Sequence, residues 1–141
     1  MLLYDGVCGL CNRAVQFTLP RDGRDRLRYA AAQSDFGRRI LERHGKRPDS
    51  LETFYLVENV GFPEERLWER ARAAVGVAHM LGGPWGLLAR LAPLLPWRLL
   101  DGAYDAIARR RYRWFGRYDA CPLPEPKWSH RFLRDAPPPP P

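Results

Sequence analysis

The chain has 141 residues, of which 45 % are hydrophobic and 28 % are charged, and its net charge is +7. This composition is typical of one globular domain and excludes a disordered chain. The longest uncharged apolar run late in the chain, residues 91–97, is far shorter than the ~20 residues of a transmembrane helix. Because Asp5 follows the first four residues, no signal peptide is predicted. We therefore expect a cytoplasmic protein without a transmembrane segment.

The first part of the chain predicts strands that alternate with helices. Residues 2–4 are a short apolar run that predicts a strand and leads into a turn. Apolar residues recur at helical spacing over residues 11–19 and predict an amphipathic helix. Alternation over residues 27–31 predicts a second strand. Ser34 is a suitable N-cap for a second helix that runs to about residue 44.

The remainder predicts a hairpin followed by helices. Residues 53–57 are β-branched and aromatic and predict a third strand, with a short fourth strand near residues 67–68. Helices are then predicted over residues 71–81, 85–92 and 97–114, the last two separated by prolines. The order β-α-β-α-β-β-α indicates an α/β fold with a parallel first strand pair and an antiparallel edge strand.

The same pattern predicts the domain organisation. Residues 1–124 form a single domain, with a core of about 1–82 and a helical extension of about 84–117. Residues 125–141 are rich in proline and are predicted to be a disordered tail.

Two of the three cysteines form a C-x-x-C motif at the junction of the first strand and the first helix. An odd number of cysteines does not indicate a disulfide framework. The N–H groups of a helix N-terminus stabilise a thiolate and lower its pKa. We expect Cys8 to lie on the exposed side as the attacking thiol, and Cys11 to lie inside as the resolving thiol.

Two other interpretations of these cysteines stay open. They are unreactive core residues, or they form half of a zinc site, which Cys121 and His130 would complete. Eight residues separate Cys121 from His130, which is outside the usual ligand spacings.

Asp5 precedes the motif and has two interpretations. Its carboxylate accepts the proton of Cys11 as a general base, or it caps the turn by accepting backbone N–H groups. Supporting roles are predicted for Gly6, Gly9, Asn12 and Arg13. The glycines allow a tight turn around the sulfurs. Arg13 either favours the Cys8 thiolate by its charge or is simply solvated.

A basic stretch at residues 109–117 contains five arginines and no acid. It is either a solvated helix face or a patch that contacts phosphate or lipid. Aromatic residues late in the chain pack in the core, contact a membrane surface or stack on bases. We predict no specific nucleic-acid partner, and peripheral membrane contact stays open.

The segment Tyr4-Asp5-Gly6-Val7-Cys8-Gly9-Leu10-Cys11-Asn12 resembles the signature of the DCC family, named for its Asp-x-x-Cys-x-x-Cys motif. Residues 27–34, 81–85 and 104–116 resemble later blocks of that family. The resemblance implies a thioredoxin-like fold and thiol–disulfide oxidoreductase activity. The chain departs from the family pattern at two places. Ala71-Arg72 stands where family members commonly have Ser-Asp at the start of the third helix, and no proline directly precedes the third strand.

These observations predict a thiol–disulfide oxidoreductase of the protein-disulfide reductase type. Cys8, Cys11 and Asp5 would act on a protein or small-molecule disulfide or dithiol, and no cofactor or metal is predicted. Cys121 is either an apolar anchor or a third thiol that accepts the disulfide. The alternative is a non-catalytic module that binds a metal or a partner and carries a basic C-terminal helix.

Overall fold

A four-stranded mixed sheet forms the centre of the computed structural model, which describes residues 1–47, 53–117 and 125–133. The strands are β1 (Leu2–Tyr4), β2 (Tyr29–Ala31), β3 (Tyr55–Glu58) and β4 (Arg66–Glu69). Their order in the sheet is β2-β1-β3-β4. β1 is parallel to β2, whereas β3 is antiparallel to both β1 and β4. The parallel pair and the antiparallel edge hairpin confirm the predicted α/β fold.

Five α-helices within the described ranges pack around this sheet. They are α1 (Gly9–Thr18), α2 (Asp35–Arg43), α3 (Arg70–Leu81), α4 (Gly83–Leu91) and α5 (Trp97–Phe115). Ser34 caps α2 as predicted, because its hydroxyl oxygen accepts the N–H of Gly37 at 3.1 Å. The element order β-α-β-α-β-β-α with a helical extension is consistent with a thioredoxin-like fold.

Side-chain alternation in β1 divides the core between the two faces of the sheet. Leu2 and Tyr4 pack in one cluster with Val15 of α1 and Val77 of α3. Leu3 points to the other face and packs with the buried apolar residues of α2. Because successive side chains of a strand point to opposite faces of the sheet, a strand of three residues contributes to the core on both faces. This alternation also fixes the end of β1 beneath α1, where the cysteine motif begins.

α3 begins without a capping side chain of its own. The N–H of Ala71 is instead accepted by the carboxylate of Asp101 on α5, at 3.2 Å. The common Ser-Asp pair of the family pattern would cap this helix from its own start. Here Asp101 of α5 caps it instead.

The predicted disordered tail is wrong for residues 125–133. Residues 126–131 form a 3₁₀ helix, and the Phe132 ring stacks on Tyr29 with centroids 5.3 Å apart. The N–H of Leu133 donates to the carbonyl of Tyr29 at 2.7 Å, which covers the edge of β2. Trp128 and Phe132 contribute enough apolar surface to hold this segment despite the prolines nearby. Cys121 and residues 134–141 lie outside the described residues.

The late apolar residues divide between core and surface. Tyr104 packs edge-on against Phe54, whereas Trp114 is 57 % exposed. Several leucines of α4, the connection after it and the start of α5 are also exposed, among them Leu87, Leu88, Leu91, Leu94, Leu95 and Leu99. No helix within the described ranges is long and apolar enough to cross a membrane.

Candidate active site

Cys8 is the N-cap residue of α1, and Cys11 lies in the first turn of that helix, as predicted. The carbonyl of Cys8 accepts the N–H of Asn12 at 3.0 Å and so begins the helix. Both cysteines are free thiols. The motif therefore places two sulfurs at the end of the helix where unpaired N–H groups favour negative charge.

The two thiols have opposite pKa shifts. The pKa of Cys8 is lowered to about 6, chiefly because the Cys11 thiol donates a hydrogen bond to its sulfur, and also by backbone N–H donors and the charge of Arg111. The pKa of Cys11 is raised, first by that same hydrogen bond to Cys8 and then by burial. At neutral pH the pair therefore holds a thiolate at Cys8 and a proton at Cys11.

The expected exposure of Cys8 is wrong, since its side chain is 0 % exposed and that of Cys11 is 6 % exposed. The end of α5 lies over this junction. The N–H of Gly9 donates to the carbonyl of Gly116 at 3.1 Å, and Cys8 pairs with Arg117 in an antiparallel bridge. A side chain at Gly9 would collide with the carbonyl oxygen of Phe115. This glycine is required for a close backbone approach.

Asp5 is 1 % exposed and lies in a dense polar network. Its Oδ1 accepts the N–H of Val7 at 3.2 Å and the Nε2 group of Gln33 at 2.7 Å. Its Oδ2 accepts the Tyr112 hydroxyl and lies 3.8 Å from Nη2 of Arg111. The hydrogen bond from the Val7 N–H is the turn cap that the sequence predicted as one of the two roles of Asp5. A role as general base stays a prediction.

Besides Gly9, three residues with predicted supporting roles lie at different places in the site. Asn12 Nδ2 donates to the carbonyl oxygens of Gly6 at 2.8 Å and Cys8 at 2.9 Å, so it holds the turn together. The N–H of Gly6 donates to Oε1 of Gln33 at 3.0 Å. Arg13 is exposed, and its guanidinium lies 5.4 Å from the centroid of the Phe115 ring. The positive charge that favours the Cys8 thiolate comes from Arg111 rather than from Arg13.

Sequence reasoning missed Arg111 and Tyr112 as site residues. Arg111 is 5 % exposed, so the interpretation of its stretch as a solvated face is wrong at this position. A signal was present, because Tyr104, Arg111 and Phe115 lie on one face of α5 by their spacing. Burial and the hydrogen bond to Asp5 raise the pKa of Tyr112 to about 12, which keeps its hydroxyl protonated.

A family model of DCC1-like thiol-disulfide oxidoreductases matches residues 2–117 of the chain. The chain belongs to this family. The matched residues include both halves of the site, the Asp5–Cys11 segment and the Arg111-Tyr112 pair on α5. The match confirms the resemblance that the cysteine signature suggested.

Two relatives extend this comparison. The chain is 37 % identical to the uncharacterized protein YuxK of Bacillus subtilis over 133 residues, 94 % of this chain and 93 % of that protein. It is 34 % identical to a chloroplastic DCC family protein of Arabidopsis thaliana over 123 residues, 87 % of this chain and 69 % of that protein. No solved structure matches the chain.

The described residues do not test the zinc alternative as a whole, because it includes Cys121. No group of three or more His, Cys, Asp or Glu residues within those ranges is arranged to hold a metal. His130 lies 3.7 Å from Asp25, away from the cysteine pair in sequence. Cys121, the other residue of that hypothesis, lies outside the described residues.

Proposed function

We propose that this protein is a thiol–disulfide oxidoreductase of the protein-disulfide reductase type, in which Cys8 attacks and Cys11 resolves. The observation that carries the proposal is the position of two free thiols at the N-terminus of α1, with Cys8 as the N-cap residue and Cys11 in the first turn. The lowered pKa of Cys8 supports it. A thiolate is the nucleophile in thiol–disulfide exchange, and a neighbouring protonated thiol resolves the product.

The reaction has two steps. The Cys8 thiolate attacks one sulfur of a substrate disulfide, so a Cys8–substrate bond forms while the substrate S–S bond breaks and one substrate thiolate leaves. Cys11 then loses its proton and attacks Cys8, which forms the Cys8–Cys11 disulfide and releases the second substrate thiol. Two electrons pass from the protein to the substrate. An external dithiol restores the reduced pair by the reverse exchange.

Asp5 is proposed to position the motif and to accept the proton of Cys11. Its backbone N–H donates to the Cys11 sulfur, and its carboxylate holds the buried Arg111 beside both thiols. Asp5→Asn is therefore expected to prolong the mixed disulfide with substrate, detected by mass spectrometry after acid quenching.

Substrate entry is proposed to require movement of the segment after α5. Cys8 is fully buried, and its backbone is paired with that of Arg117. Movement of the Gly116-Arg117 backbone would uncover the sulfur without disturbing the sheet.

The deciding experiment compares Cys8→Ser and Cys11→Ser with the unaltered protein in reduction of a disulfide-linked peptide. Cys8→Ser is expected to abolish turnover, whereas Cys11→Ser is expected to trap a mixed disulfide at Cys8. Full turnover by Cys8→Ser would overturn the proposal. Peptide mapping after mild oxidation tests the third-thiol role of Cys121, for which a bond from Cys121 to Cys8 or Cys11 within one molecule is the diagnostic product.

A further inference from the structure

A cavity of about 790 Å³ opens beside the site, between the end of α2, the β3–β4 hairpin and the outer turns of α5. This volume is typical of pockets that bind small molecules. Arg111 and Tyr112 form part of its wall. We call this cavity the basic cleft because five cationic side chains and only two acidic ones occur among its described lining residues. The cations are Lys46, Arg47, Arg70, Arg109 and Arg111.

Two of these cations are already neutralised within the cleft. Lys46 Nζ lies 2.8 Å from the Glu69 carboxylate, and Arg70 forms a two-point contact with Asp105. Arg111 faces Asp5. These pairs account for both acids of the described lining.

Arg47 and Arg109 are different, because neither forms an ion pair with any described carboxylate. Both are exposed and both line the cleft. A guanidinium group presents paired N–H donors that match the two oxygens of a carboxylate. Within the described residues, the cleft therefore offers two guanidinium groups that form no ion pair around a space of small-molecule size, although the charge of Arg109 also acts on Asp105.

The basic cleft adjoins the reacting sulfurs through the wall residues. The Tyr112 hydroxyl donates to Asp5, whose backbone N–H donates to Cys11. Arg111 is close enough for its charge to act on both Cys8 and Cys11. Neither cysteine lines the cleft, so Arg111 and Tyr112 separate a molecule held there from the dithiol, and the proposed movement of Gly116-Arg117 is also needed before its sulfurs reach Cys8.

We propose that the basic cleft binds the carboxylates of a small anionic disulfide and presents its sulfurs to Cys8. This inference rests on the proposed function and specifies its substrate class. Arg47 and Arg109 bind the carboxylates, and Arg111 and Tyr112 form the side of the cleft that faces the dithiol. A polyanion such as nucleic acid requires an extended basic surface, whereas this site is a cavity.

The test uses three disulfides with the same reacting bond and different charge: oxidised glutathione is anionic, bis(2-hydroxyethyl) disulfide is neutral and cystamine is cationic. We expect kcat/KM to be highest for oxidised glutathione, by about tenfold over the neutral compound at low salt, and this preference to shrink as salt screens the charges. Equal kcat/KM values for the three compounds would overturn the cleft assignment and leave the proposed function intact.

Substitutions of single arginines test which side chains cause the preference for the anionic disulfide. Arg47→Gln and Arg109→Gln are each expected to lower the ratio of kcat/KM for the anionic to the neutral disulfide by about fivefold. Arg39→Gln on α2 and Arg113→Gln on α5 remove the same charge outside the cleft and are expected to keep the ratio. A ratio that falls equally in all four variants reflects net charge alone and contradicts the proposal.

A binding measurement separates this inference from failure of the reaction. S-methylglutathione carries the carboxylates of one half of oxidised glutathione and has no disulfide to exchange. Its affinity for the Cys8→Ser protein is measured by calorimetry. Binding that is weakened in the Arg47→Gln/Arg109→Gln background supports the cleft even if no disulfide is turned over. Absence of binding, or binding unaffected by the double substitution, overturns it.

Discussion

Tyr112 of α5 donates its hydroxyl hydrogen to the carboxylate of Asp5, 107 residues earlier in the chain. The same carboxylate accepts a hydrogen bond from Gln33, which follows β2. Three distant stretches of sequence therefore meet at one buried group, directly beside the dithiol. This contact joins the last helix to the turn that positions Cys8.

Tyr112→Phe removes the hydroxyl donor from a buried carboxylate, which we expect to destabilise the fold by about 1–3 kcal/mol. Because the contact holds the end of α5 near Cys8, alkylation of Cys8 by iodoacetamide should also become faster. Tyr104→Phe is the matched control, since its hydroxyl contacts Thr53 at 2.6 Å instead of Asp5. Equal alkylation rates in the two variants would show that the Asp5 contact does not restrict access.

The acidity of Cys8 is measured by thiolate absorbance at 240 nm, in a Cys121→Ser background to remove the third thiol. The unaltered dithiol is expected to titrate with an inflection of about 6. Cys11→Ala should raise this value by more than Arg111→Gln does, because the Cys11 hydrogen bond is the larger cause. An inflection near ~8.5 in the unaltered dithiol would show an ordinary cysteine.

The same pKa predicts how stability depends on pH. The folded-state pKa of Cys8 is about 6 and lies below the unfolded value of ~8.5. The stabilising contribution is therefore fully present above ~8.5 and is lost as pH falls through about 6. In urea unfolding, the reduced protein should have a higher free energy of unfolding than Cys8→Ser at pH 8, and this difference should shrink toward pH 5. A difference that grows as the pH falls would contradict the lowered pKa of Cys8.

Gly9→Ala places a methyl group against the carbonyl of Phe115, so we expect a loss of about 1–3 kcal/mol in the free energy of unfolding. The displaced Phe115-Gly116 backbone should also uncover Cys8 and speed its alkylation. Gly23→Ala is the control, because a Cβ atom there meets nothing within 4 Å. If both alanines have the same effect, the close approach of α5 to α1 is not the cause.

Arg131→Ala tests whether the segment after residue 124 stabilises the domain. Arg131 is buried, and its guanidinium lies 3.4 Å from Asp22 and 2.7 Å from Asp25. Breaking a buried pair from one side costs about 3 kcal/mol, measured by urea unfolding. Lys127→Ala on the same 3₁₀ helix removes an exposed cation and should change stability little. A similarly small loss of stability in Arg131→Ala would show that this segment does not stabilise the domain, as expected for the disordered tail that the sequence predicted.

Some of this site could be predicted because its causes are local. Strand β1, the turn, Cys8 at the N-cap and Cys11 one turn later all lie within the first eleven residues. Propensity, capping and helical spacing act over a few residues, so they can be read from one short segment. Ser34 and the antiparallel hairpin were predictable for the same reason.

The sequence by itself thus determined the α/β order and the placement of a dithiol at a helix N-terminus. Only the tertiary structure decided that Cys8 is buried, that Arg111 supplies the neighbouring charge and that a basic cleft opens beside them. Each of these depends on α5 returning across α1, where Gly116 meets Gly9 and Tyr112 meets Asp5. Such contacts arise from the packing of whole faces between residues about a hundred positions apart. Helical spacing places Arg111 on one face of α5 with Tyr104 and Phe115, but it does not encode which part of the protein that face contacts.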